Sequence, residues 1–216
     1  MVRDDRSAWV EENGKRVLPR ISLIGQIIDD HCWSTLPYTV PSDRCARVFL
    51  DWNYVYDPRS FGSMSGKSWA VFRKNAKKWP RRHTYFSWTS DPAPIDDLIP
   101  LIDSWTGGRE IVHDDEALWA YLHRSKEQRS LYSAGALVAW LAWDTNFWGT
   151  NFRWLIVRRD MPFLDEYCRW YFYTNICDPS KLVNDGGALG SKGLERMKDK
   201  MNPVRKIPIY TWEAVE

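Results

Sequence analysis

From residue 131 onward the hydrophobic period of the chain switches repeatedly, and that alternation constrains the fold more than any single residue does. Leu131 to Asp144 and Asn151 to Arg159 carry the aromatic, aliphatic and small apolar side chains of buried strands. The polar linker between them, from Asp144-Thr145-Asn146 to Gly149-Thr150-Asn151, suits a hairpin loop. Pro162 then opens a helical pattern that reaches about Ile176, with Phe163, Tyr167, Trp170 and Tyr171 on one face. Lys181 to Val183 reads as a short strand, Gly193 to Met201 as a helix ended by Pro203, and Arg205 to Val215 as a last strand. A hairpin followed by helix, strand, helix and strand predicts an α/β domain with a mixed sheet flanked by helices.

Upstream the signals are more scattered. Residues 1–20 are charged and aperiodic and read as an arm or early edge element, and Arg20 to Ile28 as a strand or short helix. Val48 to Tyr56 is a strand running into a loop. Ser68 to Trp79 places Trp69, Phe72, Ala76 and Trp79 at helical spacing and predicts an amphipathic helix stopped by Pro80. Tyr85 to Trp88 suits a short strand, and Ile95 to Trp105 a helix closed by Gly107 and Gly108. Asp114 is placed to cap a further helix containing Leu118 and Leu122. The 216 residues are 44% hydrophobic, enough for a real core without disulfides or metals. We read residues 1–216 as one domain, with 91–130 as a helical, insertion-like segment.

Net charge says little, since 30 Lys and Arg nearly balance 28 Asp and Glu. Its distribution says more. From Arg59 to Ser90 there is no acidic residue, while Arg59, Lys67, Arg73, Lys74, Lys77, Lys78, Arg81 and Arg82 all lie there. The segment His113-Asp114-Asp115-Glu116 has contiguous spacing that suits an acidic helix N-terminus rather than a metal site, and no metal is expected. Cys32, Cys45, Cys168 and Cys177 form no Cys-x-x-Cys pair and read as inert thiols. No apolar run approaches the ~20 residues needed to span a bilayer, and a cytoplasmic location is expected.

Two motifs carry a family resemblance. The first is Asp51-Trp52-Asn53-Tyr54-Val55-Tyr56, then Gly66-Lys67, Arg73-Lys74-Asn75 and Trp79. The second is Val183-Asn184-Asp185-Gly186-Gly187-Ala188-Leu189-Gly190, then Gly193-Leu194, Lys198 and Pro203. Together, over residues 48–80 and 131–212, they resemble the C-terminal domain of lysylphosphatidylglycerol synthases and their stand-alone relatives. That group has the GNAT (Gcn5-related N-acetyltransferase) fold and is similar to the Fem-type aminoacyltransferases. The resemblance implies a mixed, mostly antiparallel central sheet and acyl or aminoacyl transfer to an amine or hydroxyl on a larger acceptor: a peptide, a modified nucleobase or a lipid headgroup.

It also implies a site. Backbone N–H groups along Trp154–Val157 are candidates to face a developing oxyanion, and Asp144, Asp185 and Asn184 are candidates to orient the acceptor or take its proton. Gly186 and Gly187 permit close approach of a ligand to the backbone. Arg158, Arg159, Lys192 and Lys198 are candidates for donor phosphates. Tyr56 with Arg73, Lys74, Lys77 and Lys78 is the candidate surface for tRNA, DNA or an acceptor, with Trp69, Trp79, Tyr85 and Trp88 as stacking groups or, equally, as core. One departure matters. Acetyl-CoA-dependent members have an Arg/Gln-x-x-Gly-x-Gly/Ala loop whose N–H groups cradle pyrophosphate. Here the matching place is Arg158-Arg159-Asp160-Met161-Pro162, without glycine. The donor is therefore either aminoacyl-tRNA or an acyl-CoA held in a changed way. A rival expectation is a nucleic-acid-binding module that keeps the fold without catalysis.

Overall fold

The computed structural model describes residues 2–3, 8–12, 15–17, 45–107, 127–145, 149–188 and 190–214. The readings made for residues 20–28 and for the helix capped at Asp114 fall outside them. A seven-stranded sheet forms the centre of the molecule, with strand order β10-β4-β9-β8-β7-β6-β5. Its strands are β4 (Cys45–Tyr56), β5 (Phe86–Thr89), β6 (Gln128–Ser133), β7 (Ala136–Thr145), β8 (Gly149–Val157), β9 (Leu182–Asn184) and β10 (Arg205–Ala214). Every neighbouring pair is antiparallel except β8 and β9, which run parallel. The mixed, mostly antiparallel sheet expected from the sequence is the one observed. Three short strands, β1 (Val2–Arg3), β2 (Ala8–Glu12) and β3 (Lys15–Val17), lie within the segment read as an arm or early edge element and pair with one another in a separate sheet.

One face of the large sheet is covered by most of the helices. These are α1 (Arg59–Ser63), α2 (Ala70–Ala76), α3 (Lys78–Arg82), α5 (Leu164–Tyr171) with its π-helical continuation Phe172–Ile176, and α6 (Lys192–Lys200). Tyr54, Tyr56, Leu141, Phe152 and Val183 meet Phe61, Phe72, Phe172, Tyr173 and Met197 there in one aromatic core. The rings are interlocked: Phe61 stacks on Tyr173 at 3.9 Å and Phe152 on Phe172 at 4.1 Å. Helix α4 (Ile95–Thr106) packs on the opposite face, with Leu98, Leu101, Ile102 and Trp105 against Leu137, Trp140, Ala142 and Ile156.

Two local expectations are corrected. The apolar run Leu131–Asp144 is not one strand. Ala134 and Gly135 take φ of 51° and 81° and fold it into a hairpin between β6 and β7. Pro80 does not stop the basic helix either. The break comes at Lys77, and Pro80 sits in the first turn of α3, where its missing N–H has no intrahelical acceptor to lose.

Candidate active site

Strands β8 and β9 pair in parallel at only three positions, Gly149 with Leu182, Thr150 with Val183 and Asn151 with Asn184. Beyond that the chain after β9 follows β4 instead: Asp185 N–H donates to Tyr54 O at 2.9 Å, and Tyr54 N–H to Gly186 O at 3.1 Å. From Phe152 on, β8 therefore has a strand partner on the β7 side only, among the described residues. A wedge opens at the Asn151–Asn184 apex, between Trp154–Val157 and the Asp185–Ala188 segment. The two faces of the sheet meet this wedge with different chemistry.

On the helical face lies a buried charge cluster. The Asp185 carboxylate accepts from Arg169 Nη1, from Tyr173 OH at 2.9 Å and from Lys198 Nζ at 3.0 Å. Arg169 also reaches Asp165 at 3.1 Å, and its guanidinium lies 5.4 Å from the Phe152 ring centre. Side chains of Asp185 and Lys198 are 3% exposed and that of Arg169 7%. Burial alone would raise the Asp185 pKa, but the charges of Arg169 and Lys198 prevail and hold it below the usual carboxylate range. Lys198 has three N–H groups, and they go to the Asp185 carbonyl, the Asp185 carboxylate and Gly186 O. None is left to meet a phosphate. Tyr56 is fully buried, and its hydroxyl donates to Lys198 O at 2.9 Å. In this structure Asp185, Lys198 and Tyr56, three of the expected site residues, lock α5, α6, β4 and β9 together.

Of the glycine pair, Gly186 joins this lock through its carbonyl, which accepts from Lys198, while Gly187 packs against β4. Gly186 takes φ +62° and receives the Asn184 side chain, whose Oδ1 accepts from Gly186 N–H at 2.9 Å. Gly187 allows close approach, but to the protein itself: a Cβ there would overlap the Asp51 carboxylate, which also accepts from Ala188 N–H at 2.6 Å.

On the other face the sheet carries a row of polar side chains. Asp144 on β7 pairs with Asn151 on β8, Asn151 with Asn184 on β9, and Asn184 with Val55 on β4. Residues paired in register share a face. Two expected catalytic residues, Asp144 and Asn184, are thus brought into one line with Asn151 between them, at the apex of the wedge. Asn151 and Asn184 are 2% and 4% exposed, and the Asn184 amide reaches Asn151 Oδ1 at only 3.5 Å. Asp144 is 42% exposed and ion-paired to Arg153. Arg153 is the extra residue of a bulge, left between the pairs Ala142–Trp154 and Trp143–Phe152. The sequence reasoning missed Asn151 and Arg153, although Asn151 ends the polar linker that marked the hairpin.

The loop expected to bind donor phosphates carries its own counter-charges. Arg158 is held by Asp160 through Nε at 2.9 Å, and Arg159 donates to Gly107 O at 2.7 Å. Asp165 and Glu166 occupy the first turn of α5, so negative charge sits where an N-terminus would otherwise attract an anion. Lys192, at the start of α6, is exposed.

The basic segment divides in two. Arg73 donates to Met64 O, and Lys78 Nζ lies 4.1 Å from the Phe163 ring centre. Lys67, Lys74, Lys77, Arg81 and Arg82 are exposed. Of the candidate stacking groups, Trp69 and Trp79 belong to the core and Trp88 stacks on Tyr171 at 4.3 Å, whereas Tyr85 is 82% exposed.

No family model and no curated protein matches the chain. Solved structures do. A conserved protein of unknown function from Bacteroides thetaiotaomicron superposes with a TM-score of 0.66 at 16% identity, covering 82% of this chain and 64% of that one. L-PGS from Bacillus licheniformis gives 0.58 at 18%, covering 79% and 62%. The C-terminal domain of a lysylphosphatidylglycerol synthetase from Agrobacterium fabrum gives 0.54 at 15%, covering 78% and 61%. The chain thus spans somewhat under two thirds of the length of these structures. At such identities the likeness shows the fold, and it is the fold that the Tyr-Val-Tyr and Asn-Asp-Gly-Gly motifs led us to expect.

Proposed function

We propose that the chain is an aminoacyl transferase, moving the acyl group of an aminoacyl-tRNA to a hydroxyl or amine of a larger acceptor. The observation that carries this reading is the parting of β8 and β9 after Asn151 and Asn184. Such a wedge admits an extended acyl group beside strand backbone, with N–H groups of Trp154–Val157 as candidates to stabilise the oxyanion. In the step proposed, the acceptor oxygen or nitrogen attacks the acyl carbonyl, the ester bond to the carrier breaks, and the released carrier hydroxyl gains a proton. Asp144 takes the acceptor's proton, and Arg153 positions its carboxylate. No covalent enzyme intermediate is required.

Aminoacyl-tRNA is preferred to acyl-CoA because the pyrophosphate loop carries internal counter-charges, while Lys67, Lys74, Lys77 and Arg81 form an exposed basic surface on α2, α3 and the turn before them. For the acceptor, the two synthetase structures favour a lipid headgroup over a peptide or nucleobase. No helix among the described residues is long and apolar enough to cross a membrane. The test is transfer of label from a radiolabelled aminoacyl-tRNA pool into the organic phase, with phosphatidylglycerol vesicles present and acetyl-CoA as alternative donor. Wild-type transfer that falls at least a hundredfold in Asp144→Asn supports the reading. Transfer from acetyl-CoA alone, or equal activity in the variant, overturns it.

The internal saturation of Asp185 favours a second reading, a nucleic-acid-binding module without catalysis. Salt-dependent RNA affinity with wild-type transfer at background would select it.

A further inference from the structure

A ladder of aromatic rings runs outward through α3. Trp79 stacks on Tyr167 of α5 at 4.9 Å with 22° between the planes, and His83 stacks on Trp79 at 4.7 Å with 17°. No ring contact joins Tyr167 to His83, so the rings stand in series. Trp79 is fully buried and its Nε1–H has no partner, so packing and stacking hold the ring in place. The inner end of the ladder belongs to a cluster with Leu155 and Val157 of β8, the strand that forms one side of the wedge. The outer end is different. His83 is half-buried, carries no second ring, and its imidazole nitrogens have no hydrogen-bond or ion-pair partner among the described residues.

The chain leaves α3 extended at His83 (φ −122°, ψ 107°) and reaches Tyr85 two residues later. The Tyr85 carbonyl accepts from Ala134 N–H at 3.1 Å and from Ser133 Oγ at 3.3 Å, which ties this backbone to the β6–β7 hairpin. Tyr85 itself is 82% exposed, and its side chain meets no ring and no hydrogen-bond partner among the described residues. A tied backbone lowers the entropy lost when such a ring is put to use. Helix α3 adds cations without counter-ions. Lys78 Nζ lies 4.1 Å and the Arg82 guanidinium 5.5 Å from the centre of one ring, that of Phe163. A ring attracts a cation yet leaves its N–H groups open, unlike a carboxylate. Lys78, Arg81 and Arg82 form no ion pair among the described residues. The acids in the first turn of α5 are engaged elsewhere, Asp165 by Arg169 and Glu166 by Asn75.

We infer that His83 and Tyr85, with Arg81 and Arg82, grip an unpaired stretch of RNA: bases stack on the open face of His83 and on Tyr85, and their phosphates meet the arginines. The chemistry selects that partner. Exposed cations alone suit any polyanion, duplex included. Ring faces suit only bases that are not already stacked inside a duplex. The imidazole nitrogens add a donor and an acceptor for a base edge. An anionic bilayer would meet the same cations, but it offers nothing to stack on a histidine held parallel to an indole. This deepens the proposed function and rests on it for RNA as the donor, naming the unpaired part of that donor as what α3 holds; binding can be read without turnover.

The probe is a fluorescently labelled riboadenylate hexamer, titrated against the full chain over a salt series, with a blunt RNA duplex and phosphatidylglycerol vesicles as the other arms. Expected is hexamer affinity above that for the duplex, and a loss of about fivefold or more in Tyr85→Ala and in His83→Ala. His83→Phe keeps a flat ring and should recover most of that loss. Neither ring variant removes a phosphate contact, so the slope of log affinity against log salt should stay as in wild type, whereas Arg82→Gln should lower it by about 0.7. Tyr85→Ala removes no internal contact and should melt as wild type does. Equal affinity for hexamer and duplex overturns the inference, as does wild-type hexamer affinity in Tyr85→Ala and His83→Ala. Vesicle binding lost in Tyr85→Ala, with hexamer affinity intact, overturns it too and assigns the surface to a membrane. Aminoacyl transfer by the wild type, with hexamer affinity untouched in both ring variants, sinks this inference and spares the proposed function. Ring-dependent hexamer binding, with no transfer by the wild type, does the reverse.

Discussion

The two faces of the sheet at the wedge are polar in opposite ways. On the helical side a carboxylate, a guanidinium, an ammonium and a phenol satisfy one another, and Asp165 adds a second carboxylate. On the other side Asn53 is unmatched, whereas Asn184 accepts from Gly186 N–H at 2.9 Å and meets Asn151 only at 3.5 Å. Buried charge attracts attention as a site, but charge that is saturated internally has little left to offer a ligand. Buried neutral amides with unmet donors and acceptors have the opposite character: they cost stability in the free protein and return it on binding. For this reason the proposed function places its chemistry on the Asp144–Asn151–Asn184 row and not on Asp185.

The largest effect that could break this comparison is at Asp185. Asp185→Ala leaves Arg169 and Lys198 buried without their shared counter-ion, which should cost about 3–5 kcal/mol in urea unfolding. A loss under about 0.5 kcal/mol would mean that the cluster is no lock. The pH dependence follows from the same residue. Because its folded pKa is depressed, the stability it contributes is complete above the unfolded value, near 4. That stability is lost as pH falls through the lower folded value. Wild-type melting temperature should therefore drop steeply below about pH 4, and Asp185→Asn should flatten that limb.

Next in size are the paired glycines. In Gly187→Ala the new methyl meets the Asp51 carboxylate, which is held by Ala188 N–H and by Trp52 N–H at 2.7 Å and cannot swing away freely. The expected loss is about 1–3 kcal/mol. Gly186→Ala meets no atom, and its loss comes from the left-handed backbone alone, about 1–2 kcal/mol. Urea unfolding of both variants checks the ranking, and equal losses would mean that the close approach of Gly187 to Asp51 is no constraint.

Much of the architecture was legible because it is written in period and punctuation. The helix read as opening at Pro162 starts at Leu164, after a left-handed Phe163, and runs on to Ile176 as expected; the elements after it follow the reading made from the apolar runs. The hairpin at Ala134-Gly135 escaped because a single glycine inside an apolar run is a weak turn signal, and alanine seldom takes φ of 51°. The site was less legible for a different reason. Asp185 beside two glycines looks like a ligand-binding turn, and nothing nearby in sequence reveals that its cations arrive from two helices, 16 residues before it and 13 after. Asn53, between Trp52 and Tyr54, looks like the polar member of an alternating strand. Only the burial of both faces turns it into an unmet amide.

The smallest stability effect tests whether the same distinction holds on the basic segment. Arg73 has an internal partner, the Met64 carbonyl at the end of α1. Lys74 and Lys77 are exposed and form no ion pair among the described residues. If internal partnering separates structure from recognition, Arg73→Ala should cost about 1 kcal/mol and leave RNA affinity nearly intact. The double variant Lys74→Glu, Lys77→Glu should stay within about 0.5 kcal/mol of wild type, as surface changes do. Its effect should appear in tRNA binding measured over a salt series, where losing two phosphate contacts lowers the slope of log affinity against log salt by about 1.4–1.8. An unchanged slope would mean that these lysines are solvated charge only, and that the donor's anion is met elsewhere. A slope reduced equally by Arg73→Ala would show that an internally bonded arginine can still serve a ligand, and the rule separating the two faces would then have to be given up for this part of the molecule.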